Sequence, residues 1–217
     1  QQNALESLSP AEAVRAKVAS LVRAHDDRLP SQSTKVQNSQ IDDVDLSRLP
    51  KTDLASASLA LDLLRHAVAV ESGSVETLAN VRSSLVAQMG EDHPRLALID
   101  LRALITSKAE GSLDAAREYI NSEAENIDKI IAIHVSLEAT FPSHPEWLVS
   151  SHNNAIAIEL RPEIPSHRRI LAQRWYWRGV LEPNMRLSHW REAISRFKSA
   201  ECPSAASELL LRLTRSL

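Results

Sequence analysis

The sequence predicts an all-α protein, and three observations support that prediction. Only four glycines occur among 217 residues, which argues against a sheet with many tight turns and against glycine-rich phosphate loops. Apolar residues recur at helical spacing along most of the chain, and no segment alternates apolar and polar residues as a half-buried strand does. Capping residues and ten prolines divide this pattern into segments of helical length.

The first predicted helix lies within residues 1–25. Ser9, Pro10 and Glu12 form a capping-box pattern, in which a serine caps the helix, proline occupies its first position and a glutamate reaches back to the cap. Apolar residues follow from Val14 at helical spacing and form a narrow stripe. The pattern predicts an amphipathic N-terminal helix that docks on another surface.

Residues 26–50 are rich in Ser, Gln, Asn and Asp and have no sustained apolar period. This composition predicts a flexible polar linker, followed by a helical domain over residues 51–217. The linker contains Asp42, Asp43 and Asp45, but no second acidic cluster is available to complete a magnesium site with them. A solvated or partner-binding segment is therefore the favoured interpretation.

Helix follows helix in the predicted domain. Starts are expected near residues 53, 74, 94, 112, 126, 143, 166, 188 and 203. The first of these helices is expected to end just before Gly73, and the third before Gly111, because glycine readily ends a helix. The apolar run over residues 130–135 resembles a strand in isolation, but the period and length of the surrounding segment predict a helix.

Taken two at a time, the expected starts from residue 53 onward are spaced by 32 to 41 residues, the rhythm of stacked helical hairpins. Two segments also carry small, aromatic and turn residues at matching offsets: Ala103, Gly111, Ala115 and Tyr119 in the first, and Trp177, Ala193, Phe197 and Ala200 in the second. These offsets resemble the tetratricopeptide repeat, although Leu181 and Pro183 depart from it. The resemblance implies a degenerate α-solenoid with a peptide-binding groove, and an irregular helical bundle is the alternative.

The most distinctive segment covers residues 166–198, which contain three of the four tryptophans and seven arginines. From residue 161 onward, eleven Arg and Lys residues oppose five Asp and Glu residues, whereas the preceding residues carry a net charge of −9. Such an asymmetry favours an acidic partner. The alternatives are association between the acidic and basic ends of the chain and a basic surface without a binding role.

This segment supplies the candidate contact residues. Arginine binds phosphates and carboxylates, and tryptophan offers a face for stacking. Trp175 and Trp177 lie about 200° apart on a helix, so at least one is expected in the core. Arg174 and Arg178 are one turn apart and are expected to project together. The predicted partner-binding residues are Arg168, Arg169, Arg174, Trp175, Arg178 and Arg191.

No phosphate loop, zinc-protease motif or serine-hydrolase motif occurs, so no catalytic site, metal or cofactor is expected. The single cysteine and the absence of an apolar run of about 20 residues favour an intracellular, cytoplasmic protein without a membrane span. We expect a non-enzymatic adaptor that binds another protein or a subunit of a complex through a helical-repeat surface or its basic C-terminal end. A helical module that binds nucleic acid through residues 166–198 is the alternative.

Overall fold

A computed structural model describes residues 8–30 and 32–215, and within these ranges the chain contains helices, turns and loops but no strand. The predicted all-α class is therefore confirmed. The α-helices in the described residues are α1 (Pro10–Asp26), α2 (Asn38–Asp42), α3 (Lys51–Ser72), α4 (Val75–Met89), α5 (Pro94–Thr106), α6 (Ser112–Asn121), α7 (Asn126–Ala139), α8 (Glu146–Ala155), α9 (Pro165–Leu181), α10 (Arg186–Ser199) and α11 (Pro203–Arg215).

The described residues form two compact units, one of residues 8–26 with 33–96, and the other of residues 27–30, 32 and 97–215. The boundary between the units falls after Leu96, in the first turn of α5. The structure thus differs from the expected division at residue 51. The sequence changes from polar to periodically apolar near residue 51, but such a change does not indicate which helices pack together.

In unit 1, α1 packs against α3 through its apolar stripe. The capping box forms as predicted, because the Ser9 amide donates to Glu12 Oε2 at 2.8 Å and the Glu12 amide donates to Ser9 Oγ at 3.4 Å. Val14 is buried in the core of this unit. Outside the core, Arg15 Nε donates to Asp53 Oδ2 at 2.6 Å and ties α1 to α3.

Residues 33–50 differ from the flexible linker that the sequence predicts. They contain α2 and a short 3-10 turn, and they contribute several fully or nearly buried side chains to the core of unit 1. Two acidic residues of this segment form ion pairs: Asp42 with Arg65 of α3 at 3.1 Å, and Asp45 with Arg48 at 2.8 Å. The buried apolar residues are Val36, Ile41, Val44 and Leu49.

A buried carboxylate joins α3 to α4 in the same unit. Asp62 is 6% exposed, and its Oδ2 accepts hydrogen bonds of 2.6 Å from both Ser84 Oγ and Gln88 Nε2. Its other oxygen pairs with Arg65 at 2.9 Å. Since a buried charge is tolerated only when it is paired and hydrogen-bonded, this network explains why Asp62 can face the interior.

Unit 2 is built from helices that pack mainly on their neighbours in the chain. Helix α7 contacts α6 and α8, α9 contacts α7 and α10, and α10 contacts α11. The largest fully buried side chains in its main core are Trp177, Phe197, Leu29, Ile130, Leu137, Leu148 and Leu209. Packing between consecutive helices is compatible with stacked hairpins, and the tetratricopeptide resemblance stays a prediction.

Residues 27–30 and 32 belong to unit 2, although they lie far in sequence from the rest of that unit. Leu29 is fully buried in the main core of that unit. Asp27 caps α11, because its Oδ1 accepts hydrogen bonds from the backbone amides of Ser204 at 2.9 Å and Ala205 at 3.1 Å. This short segment is therefore a structural strap of unit 2.

Two buried histidines lie side by side in unit 2, His134 on α7 and His152 on α8, with ring centroids 6.0 Å apart. Burial, with the proximity of His152, lowers the pKa of His134 to about 3. Burial, with the nearby Arg174 and Arg178 charges, lowers the pKa of His152 to about 4. Both imidazoles are therefore neutral in the folded protein at neutral pH.

Candidate binding groove between α9 and α10

The structure places Arg174, one of the six predicted contact residues, in the core. Its guanidinium is buried and donates hydrogen bonds of 3.2 Å to the backbone carbonyls of Ile156 and Ile158, in the loop after α8. Burial lowers the pKa of Arg174 from its ordinary value. Arg174 and Arg178 were expected to project together, but in the structure the Arg174 side chain points inward and binds the loop between α8 and α9.

The first two arginines of the set are also used within unit 2. Arg168 Nη1 donates to the Ser199 carbonyl at 3.1 Å and joins the start of α9 to the end of α10. Arg169 is half-buried and likewise interacts within the protein. The three remaining residues, Trp175, Arg178 and Arg191, are brought together around one surface.

That surface depends on the close contact of α9 and α10. Gly179 has no side chain, and a methyl group at this position would overlap the Trp190 indole. The indole is held by a hydrogen bond of 3.2 Å from its Nε1 to the Tyr176 carbonyl, and the Tyr176 and Trp190 rings are parallel within 2°. Trp177 is fully buried beneath this contact, which confirms that one member of the Trp175–Trp177 pair lies in the core.

An open groove of about 720 Å³ lies where α9, the 3-10 turn over Pro183–Met185 and α10 meet; we call it the α9–α10 groove. Its apolar lining is contributed by all three elements, and its polar lining comes from the turn and α10. The apolar residues are Trp175, Met185 and Leu187, and the polar residues are Asn184, Ser188, Arg191 and Glu192.

Trp175 is held in place by charged and aromatic neighbours. The Arg178 guanidinium lies over the Trp175 ring, 4.8 Å from its centroid, and the His189 ring lies 5.4 Å away. Glu182 binds both neighbours, with Arg178 Nε at 3.2 Å and His189 Nε2 at 2.9 Å. Burial acts to raise the pKa of Glu182, but the hydrogen bonds from His189 and Arg178 outweigh it and lower that pKa. Glu182 is therefore ionised and orients the two groups that support the indole.

The groove presents one uncompensated positive charge. Arg191 is exposed, and it forms no hydrogen bond or ion pair with the residues that the structure describes. Glu192, the only carboxylate among the lining residues, accepts a hydrogen bond of 2.7 Å from Arg196. The arrangement suits the binding of an apolar group beside a negative one.

The sequence did not point to Met185 and Leu187, which both follow Pro183, the proline that interrupts the predicted hairpin. One feature of the sequence could have indicated them. Both are apolar residues beside a break between two helices, where side chains are often exposed. Among the described residues, no helix is long and apolar enough to cross a membrane, and no group of three or more His, Cys, Asp or Glu residues can hold a metal ion. No protein family, curated protein or solved structure matches the chain significantly.

Proposed function

We propose that this protein is a non-enzymatic adaptor that binds another protein through the α9–α10 groove. The observation that carries the proposal is the exposure of apolar side chains in a depression beside an aromatic wall. Met185 is 51% exposed and Leu187 is 38% exposed, and both lie next to Trp175. Apolar groups gathered in one depression favour association, because a partner that covers them removes their surface from water.

The support beneath the groove favours binding without a costly rearrangement. The contact of α9 with α10 is fixed by the Trp190–Tyr176 hydrogen bond, and Trp175 is held between Arg178 and His189. A surface whose side chains are already ordered loses less conformational entropy when a partner binds. Methionine adds adaptability, since its flexible and polarisable side chain fits apolar groups of different shapes.

The tetratricopeptide resemblance of residues 177–203 supports the same proposal, because those repeats bind peptides through helical surfaces. The groove lies at the turn over Pro183–Met185, where the sequence departs from the tetratricopeptide pattern. We therefore place the binding site at the turn between α9 and α10.

Nucleic-acid binding through the arginines is supported less well. Stacking of a base on Trp175 would compete with Arg178, which already lies over that ring and is paired with Glu182. Arg174 and Arg168 make their hydrogen bonds with backbone carbonyls of the protein. The number of arginines free to contact a phosphate backbone is smaller than the sequence predicts.

The proposal is tested with a charged substitution inside the groove and a matched one outside it. Leu187→Asp places a carboxylate among the apolar lining, whereas Leu210→Asp makes the same change at an exposed leucine of α11, 48% exposed. Both variants are used with the wild-type chain to recover partners from the cells in which the protein occurs. We expect one set of proteins to be recovered with the wild type and with Leu210→Asp, and to be lost with Leu187→Asp.

A milder variant, Met185→Ser, separates loss of binding from loss of folding. Met185 lies at the surface of the turn, so its replacement should leave the thermal unfolding of unit 2 nearly unchanged. All four tryptophans lie in unit 2, so their fluorescence monitors that unfolding. Recovery of the same proteins by the wild type, Leu187→Asp and Met185→Ser would refute the proposed site.

A further inference from the structure

We infer that the partner segment in the α9–α10 groove is acidic and amphipathic, an inference that rests on the proposed protein-binding function. An apolar side chain of the segment packs on Met185 and Leu187 against Trp175, and a carboxylate pairs with Arg191. The occupant is thus defined by two features at a set distance, an apolar anchor and an acidic group.

Charge complementarity carries the first step. Arg191 lines the groove without a partner among the described residues, whereas the carboxylate of Glu192 is engaged by Arg196 and that of Glu182 by Arg178 and His189. A partner with a basic residue here would meet no available carboxylate. A partner with an acidic residue gains a pair with Arg191, since guanidinium and carboxylate groups have matching planar geometry.

The surrounding charge acts in the same direction. Arg186 lies on α10 next to the groove, where its guanidinium covers the Trp190 ring and donates to the Gly179 carbonyl rather than to a carboxylate. From residue 161 onward the chain has a net charge of +6. This part of the chain therefore favours the approach of an acidic segment, in contrast to residues 97–160 of the same unit, which carry a net charge of −6.

The spacing of the two features follows from helix geometry. Leu187 and Arg191 are four residues apart on α10, so they lie on one face about 6 Å apart along the axis. In a partner helix, residues three or four apart match this distance, and in an extended partner residues two apart do. The groove therefore selects an apolar residue followed or preceded by Asp or Glu at one of these spacings.

The probe is a displayed library of random 16-residue peptides, selected in parallel on the full chain and on two charge variants. Arg191→Glu reverses the charge in the groove, and Lys198→Glu makes the same charge change two turns further along α10, at an exposed lysine outside the groove lining. We expect wild type and Lys198→Glu to enrich Leu, Ile, Met or Phe with Asp or Glu at the stated spacing. Arg191→Glu should enrich Lys or Arg instead.

Measured affinities supply the second readout. For a selected peptide, Arg191→Ala should weaken binding by about fivefold, as expected for an ion pair at the rim of a groove, and added salt should reduce the difference. Leu187→Asp should abolish binding of the same peptide. A short single-stranded RNA, tested in parallel, should bind the wild type and Arg191→Glu equally weakly.

The inference is overturned if the wild type enriches no carboxylate, if Arg191→Glu selects the same acidic peptides, or if RNA binds tightly and depends on Arg191. These outcomes differ from failure of the proposed function. If Leu187→Asp still loses a natural partner while Arg191→Glu keeps it, the groove binds protein but the partner is not acidic. If Leu187→Asp loses no natural partner, the proposed function itself fails.

Discussion

Acid should destabilise unit 2 through its buried histidine pair. His134 is 6% exposed and His152 is 1% exposed, and burial lowers their pKa values to about 3 and about 4 from an ordinary value of 6.5. Between pH 6.5 and pH 4 the unfolded chain therefore binds protons that the folded protein does not bind. Stability contributed by these groups is complete above pH 6.5 and is lost as the pH falls below it.

The magnitude follows from the pKa difference. Each histidine costs about 1.4 kcal/mol per pH unit below 6.5 while the folded form stays neutral. From pH 7 to pH 5 this amounts to about 2 kcal/mol for each histidine, or about 4 kcal/mol for the pair. Acidic residues with lowered pKa values, such as Glu182, add little in this window because they stay ionised in both states above pH 5.

The assay is urea unfolding followed by tryptophan fluorescence at several pH values from 7 to 5. The signal reports on unit 2, because Trp147, Trp175, Trp177 and Trp190 all belong to it. The double variant His134→Asn, His152→Asn should lose stability from altered packing equally at every pH, and should lack most of the acid-dependent decrease. If wild type and double variant lose the same free energy of unfolding between pH 7 and pH 5, the histidines are not kept neutral by the fold and the reasoning is refuted.

Three further substitutions test the packing of unit 2 by urea unfolding. Gly179→Ala should lower the free energy of unfolding by about 1–3 kcal/mol, because the added methyl group overlaps Trp190. An increase of about 0.5–1 kcal/mol, as expected for an ordinary glycine inside a helix, would contradict the close contact. Arg174→Lys should lower the free energy of unfolding by about 2 kcal/mol, because an ammonium group cannot reproduce the guanidinium contacts with two carbonyls. Peptide binding by the folded protein should be unchanged. A variant as stable as the wild type would show that Arg174 does not stabilise the α8–α9 connection. Asp27→Ala should cost about 1 kcal/mol through loss of the α11 cap, and an unchanged midpoint would show that the strap does not stabilise the helix.

Local patterns in the sequence predicted the elements that depend on local interactions. The capping box at Ser9 and Glu12 forms as expected, and residues 130–135 are helical because the surrounding period is helical. The sequence predicted a flexible linker for residues 33–50 because their local pattern shows no helix, whereas in the structure they contribute to the core of unit 1. Their buried side chains are irregularly spaced and show no helical or strand period, although they belong to the same core as the apolar residues of α1 and α3.

The candidate site was predicted only in part. The sequence pointed to the segment that contains the proposed groove and separated Trp175 from Trp177, because 100° per residue directs them to different faces. It did not distinguish Arg174, which bonds to backbone carbonyls, from Arg191, which lines the groove. The two arginines look alike in sequence, and only their neighbours in space differ.

The sequence by itself determined that this chain is helical, where most helices begin and end, and that its later part is basic. These properties depend on residues within one or two turns of each other. The tertiary structure alone decided that residues 27–30 and 32 belong to unit 2 and that Met185, Leu187 and Arg191 share one groove. Asp27 and Ser204 are 177 residues apart in the chain, and they come into contact only in the folded unit 2. Which side chains are buried, and which lie side by side, depends on residues far apart in the chain. Local sequence patterns contain no information on those contacts.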